Sequence, residues 1–161
     1  MKRKTLSSSE LETLLPSLQP FLSGINLKKA VKKGVESVEL SGGRLVAVAG
    51  FLFLVTDTTA VPVLVETNTP LLEKLSSVWV DMGAVPHVAS GADVMRPGIV
   101  RMDVFQTGDT VVIRDIAHSK PLAVGKALTS SDEATKLVKG KIIKTIHHVD
   151  DEAWRASKEI L

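Results

Sequence analysis

With 161 residues, 44% of them apolar and only 4% aromatic, the chain can bury an aliphatic core but has too few rings to pave a surface with stacked aromatics. It has no Cys, which excludes disulfides, thiolate zinc sites and cysteine nucleophiles. A net charge of +2 excludes a globally basic binder of nucleic acid, although seven Lys/Arg face only two Glu within residues 1–35.

The first residues are charged and then polar, without the apolar core of a secretory leader. The longest apolar run, near residues 45–55, is too short to span a bilayer. These features predict a cytoplasmic protein with no membrane contact. Ser7 and Glu10 have the spacing of a capping box, and Leu11, Leu14, Leu15 and Leu18 follow at helical period. Pro16 and Pro20 are expected to bracket the end of that helix, since neither can donate an amide. Asn26 and Gly34 then mark the start and stop of a second short helix. Lys28, Lys29, Lys32 and Lys33 would give it a basic outer surface that can meet phosphates.

From Val35 the apolar period changes to two. Strands are predicted at 35–40, 45–49, 51–55 and 61–65, forming a small antiparallel sheet. Thr69, Pro70 and Leu71 open a helical link, with Pro70 at its first position. A strand at 78–81 follows, then a short helix between Gly83 and Gly91, then strands at 98–102, 110–114, 121–128 and 141–149. An acidic first turn, Asp150 to Glu152, opens a C-terminal helix. The reading is an α+β chain: an N-terminal α/β domain over 1–76, a small β pseudobarrel over 77–153 and a helical tail over 154–161.

The informative segment runs from Val80 to Ile99. Gly83, Gly91 and Gly98 bare the backbone around the short helix, so a ligand can approach closely, and free amides at the helix start suit a phosphate. The same glycines also serve as plain turn residues in a compact barrel. Asp81, Asp93, Asp103 and Asp109 can supply carboxylates, but each sits beside a glycine or at a strand end, where turn and cap roles predominate. His147 and His148 are adjacent on a strand and point to opposite faces, so no metal site is predicted, and no cofactor motif is present.

Asp81, Gly83 and Ala84, then Gly91, then Pro97 to Ile99, then Gly108, Asp109, Val111 and Ile113, then Pro121 to Lys126, and finally Gly140 to Val149 follow one another in an order that resembles the PUA domain. That RNA-binding module is named after pseudouridine synthases and archaeosine transglycosylases. The whole chain is similar to the stand-alone archaeal and eukaryotic PUA proteins, including the malignant-T-cell-amplified sequence family. The resemblance implies a pseudobarrel, no catalysis, and an RNA-contacting shelf of Gly83, Ala84, Val85, His87, Gly91, Pro97 and Gly98. Arg96, Arg101, Lys126, Lys141 and Lys144 would flank it. It implies ribosomal or transfer RNA as ligand and a translation factor as a further partner. Two alternatives stay open: a separately encoded RNA-specificity subunit of a modifying enzyme, and an adaptor docking through Phe51, Phe53, Val61 and Val63.

Overall fold

The computed structural model describes residues 2–160. Strand β1 (Arg3–Thr5) opens it, followed by α1 (Ser8–Leu18). The capping box is complete: Ser7 Oγ accepts the Glu10 amide at 3.2 Å, and Glu10 Oε1 accepts the Ser7 amide at 3.1 Å. The helix does not end at Pro16 but runs through it to Leu18. Pro16 forfeits one backbone bond, yet Leu14 and Leu18 are buried, and their packing holds the last turn. Asn26 caps α2 (Leu27–Ala30), a single turn, and Gly34 at φ +91° redirects the chain.

Strands β2 (Glu36–Leu40), β3 (Gly43–Val48), β4 (Phe51–Val55) and β5 (Ala60–Pro62) complete an antiparallel sheet in the order β1-β2-β3-β4-β5. Both faces of this sheet are covered, which explains the unbroken apolar run of β4. Val46, Val48 and Phe53 point toward α1, with Leu14, Leu18 and Leu22. Leu45, Leu52, Leu54 and Val61 point the other way. Phe53, Val61 and Val63 are fully buried and Phe51 is partly buried, so these residues are core and not the docking face that an adaptor would need.

A connecting stretch carries a 3₁₀ turn (Glu66–Asn68) and α3 (Thr69–Leu72), with Pro70 in the first turn as expected. Asn68 is buried, and its carboxamide bonds the Leu52 amide, the Leu52 carbonyl and the Val63 carbonyl.

The remaining strands are β6 (Ser76–Val80), β7 (Val94–Met95), β8 (Ile99–Met102), β9 (Thr110–Asp115), β10 (Pro121–Ala127) and β11 (Lys141–His148). Their order is β7-β11-β10-β9-β6-β8, with β6 and β9 parallel and every other pair antiparallel. This is the pseudobarrel. Its interior is Val78, Val80, Val111, Ile113, Ala123, Ile142 and Ile143. Helix α4 (Val85–Val88) packs on that core, and α5 (Ser131–Thr135) contributes Ala134 to it. The final helix α6 (Glu152–Ile160) is more than a tail: Ala153 and Ala156 are buried between the barrel wall and the N-terminal sheet. Glu152 accepts the Ser41 amide and hydroxyl at 2.7 and 2.9 Å, fastening α6 to the β2–β3 turn. Among the described residues, no helix is long and apolar enough to cross a membrane.

Candidate functional site

The edge strands β7 and β8 are consecutive in the chain, so the turn Arg96–Gly98 is the seam that closes the barrel. Beside it, the Asp81 amide donates to the Gly98 carbonyl at 2.9 Å. Helix α4 lies against this seam so tightly that a Cβ on Gly98 would stand 3.1 Å from the Ala84 Cβ. A Cβ on Gly91, which has φ +99°, would stand 3.0 Å from the His148 ring. Both glycines therefore serve close packing within the wall. Gly83, Pro86, His87 and Pro97 form the exposed ledge above it, with Ala84 and Val85 half-buried. Asp81 Oδ1 accepts the Ala84 amide at 2.8 Å. One amide expected to be free for a phosphate is thus already capped, by a carboxylate.

The cations predicted around this ledge are dispersed. Arg96 is committed to the fold: Nε donates to the Ala134 carbonyl at 2.8 Å and Nη1 to the Ile99 carbonyl at 3.3 Å, riveting the seam to α5. Lys141 lies 3.3 Å from Asp93, which also accepts the Thr145 amide. Lys126 faces the N-terminal layer instead. Its Nζ donates to Thr110 Oγ1 and lies 5.9 Å from the Phe21 ring, and burial lowers its pKa against the opposing pull of Asp109. Lys144 sits directly across from Lys126 on the neighbouring strand, on the same face. Lys28, Lys29, Lys32 and Lys33 are exposed on and just after α2, a helix packed into the α1 cluster and not onto the barrel.

Arg101 leads to residues that the sequence alone did not single out. Its guanidinium lies 4.0 Å from the centroid of the Trp79 ring. Trp79 Nε1 donates to Ser119 Oγ at 2.7 Å. Arg114, level with Trp79 on β9, donates from Nε to Ser77 Oγ and from Nη1 to the Ser119 carbonyl. The period-two pattern of β6 and β9 puts Trp79 and Arg114 outside the barrel, which was the one available signal.

The carboxylates are occupied by backbone. Besides Asp81, Asp103 accepts the Ser77 amide and Asp109 the Gln106 amide, both at 2.8 Å. Asp115 accepts the His118 and Lys120 amides; the His118 bond is foremost in holding its pKa below the usual range. The two adjacent histidines do separate things. His148 Nδ1 contacts the Val149 carbonyl at 2.7 Å. His147 is fully buried, and its Nε2 accepts the Leu64 amide at 3.0 Å, so Nδ1 carries the proton toward Asp151 Oδ2 at 2.8 Å. Burial pushes the Asp151 pKa up, but the bonds from His147, Trp154 and His148 outweigh it and leave it lowered.

The family model described as PUA domain matches residues 76–149. An uncharacterised protein of Methanocaldococcus jannaschii is 32% identical over 155 residues, which is 95% of this chain and 95% of that one. Translation machinery-associated protein 20 of Saccharomyces cerevisiae is 33% identical over 94 residues, covering 54% of this chain and only 52% of that protein. The crystal structure of a hypothetical protein from Pyrococcus horikoshii OT3 aligns with a TM-score of 0.69 at 28% identity, over 96% of this chain and 99% of that one.

Proposed function

Because the chain belongs to the family of PUA-domain proteins, sharing almost its full length with an archaeal relative, we propose that it binds RNA in the cytoplasm and serves the translation machinery without catalysing a reaction. The observation that carries this reading is the ledge at the barrel seam. Gly83 is exposed, and the nearest atom to its missing Cβ is an oxygen of Asp81 at 3.3 Å. At Gly83 the ledge thus offers backbone rather than side chain, which lets a ribose–phosphate strand come within hydrogen-bonding reach. Gly83, Ala84, Val85, His87, Pro97 and Gly98 are the contact residues in this proposal, with Lys141 at its border.

The similarity to a translation machinery-associated protein supports ribosomal or transfer RNA as the ligand and a translation factor as partner. Bound carboxylates support a non-catalytic role. Asp81, Asp93, Asp103 and Asp109 each accept a backbone amide and so are poorly placed for proton transfer.

Crosslinking the protein to RNA in its native cells, followed by sequencing of the attached RNA, tests the proposal. Reads concentrated on small-subunit ribosomal RNA or on transfer RNA are the expected result. Recovery of no RNA above background overturns it.

A further inference from the structure

We propose a second RNA-contacting surface outside the barrel: a stripe of Arg101, Trp79 and Arg114 that takes an unpaired base and its phosphates. The inference rests on the RNA-binding reading above and adds to it where single-stranded RNA is held.

Three adjacent strands build the stripe. Trp79 on β6 is level with Arg101 on β8 and with Arg114 on β9, and residues directly opposed across a sheet share a face. Val78, Val80 and Ile113 fill the barrel interior, so this face is the outer one. The N-terminal layer covers the outer wall at Val112 and Val124 but leaves Arg101 exposed and Trp79 and Arg114 partly so.

The chemistry of the stripe is unusual for this chain. Among the described residues, the arginines that pair with carboxylates are Arg3, Arg44 and Arg155; Arg96, committed to carbonyls, pairs with none, and neither do Arg101 and Arg114. Arg101 and Arg114 are nevertheless held in place, one over the indole and one by Ser77 and Ser119. A guanidinium stacked on an indole offers its free side as a platform for a base, and Arg114, with Nε and one Nη1 proton already donated, keeps its Nη2 edge for a phosphate oxygen. The turn that holds Ser119 also displays His118, with its side chain 82% exposed, and Lys120. The one acid in that turn, Asp115, is turned inward onto backbone amides. Asp103, on the Ser77 amide, is an exposed carboxylate beside the stripe, and Arg101, Arg114 and Lys120 outnumber it.

It is also continuous with the ledge. Trp79 precedes Asp81 by two residues, about 7 Å along a strand, roughly one nucleotide step from the seam. A strand of RNA crossing the ledge can run down the β6–β8 edge onto Arg101.

The test uses the full chain and a single-stranded RNA twelve nucleotides long, fluorescein-labelled for affinity and unlabelled for Trp emission. The protein has two Trp, and Trp154 lies on α6, outside the stripe, so W154F leaves Trp79 as the only indole. RNA is expected to quench Trp79 emission. Arg101→Gln and Arg114→Gln, which keep the side-chain length, are each expected to weaken binding about five- to tenfold and to reduce the salt slope by about one. The quenching measurement leaves the stripe intact, so it decides the matter even where an Arg variant unfolds. RNA binding without quenching, and with both variants equal to wild type, overturns the stripe and leaves the RNA reading standing. No binding by the wild-type protein overturns both.

Discussion

The barrel fills its interior with its own strands: Val78, Val111, Ile113, Ala123, Ile142 and their neighbours meet without a residue from the N-terminal layer. The N-terminal sheet owns only one of its two cores. On the α1 side it packs against its own helices, but Leu45, Leu52, Leu54 and Val61 depend on Val112 and Val124 of the barrel wall and on Ala153 and Ala156 of α6. The barrel is closed by a three-residue seam, and the sheet is closed by another part of the chain. A closed sheet supplies its own second face, whereas an open one must borrow it. This difference also frees the barrel's rim and outer edge for binding.

Cutting the chain between the two sheets is expected to have the largest effect. Residues 1–75 alone are expected to remain unfolded, because one whole face of the sheet then meets water, while residues 76–161 keep a cooperative fold. Circular dichroism melts of both pieces check this, and a cooperative transition in the first piece would show that the sheet needs no lender. The next largest effect is expected at His147, the buried link from β11 to the connecting stretch. His147→Leu leaves the buried Leu64 amide without its partner and takes from Asp151 one of its three donors, at a cost of about 3 kcal/mol in urea unfolding. An equal loss from His148→Leu, whose ring bonds only the neighbouring carbonyl, would show that the link is not special.

Local chemistry made most of the fold legible. The capping box at Ser7, the Asn26 cap and the strands from Glu36 to Val55 rest on near neighbours in sequence, and they formed as expected. Two elements with weaker local patterns, β1 and α5, are completed by distant partners. Strand β1 is Arg3, Lys4 and Thr5, with no apolar residue, and is a strand because β2 lies beside it. Helix α5 has a local cap, Ser130 Oγ accepting the Glu133 amide at 3.1 Å, and is fixed in place where Ser131 bonds the amide and carbonyl of Phe105 from 26 residues away. The candidate site follows the same division. The glycine ledge was readable from spacing, while the fates of Arg96 and Lys126 were not, since a sequence does not tell a cation committed to carbonyls from one facing solvent. A single ring in a strand suggests core until the register sets Trp79 level with Arg101 and Arg114.

A smaller effect is expected within the N-terminal layer itself. Glu10 ties α1 to the sheet, with Oε2 at 3.2 Å from both Lys4 of β1 and Arg44 of β3. The Ser7 amide first, and then Lys4, lower its pKa to about 2. A carboxylate whose pKa falls on folding stabilises the native state above its unfolded pKa, near 4.5. That contribution fades as the pH drops toward 2. Glu10→Gln has no such carboxylate, so the melting temperatures of wild type and variant should differ most above pH 4.5 and converge as the pH approaches 2. The gap should be modest and should shrink further in about 1 M salt, because the group sits at the surface where ions screen it. A gap that keeps its size down to the lowest pH would mean that Glu10 holds α1 by packing rather than by charge. The N-terminal layer would then rely on the barrel for its second face without an electrostatic clasp of its own.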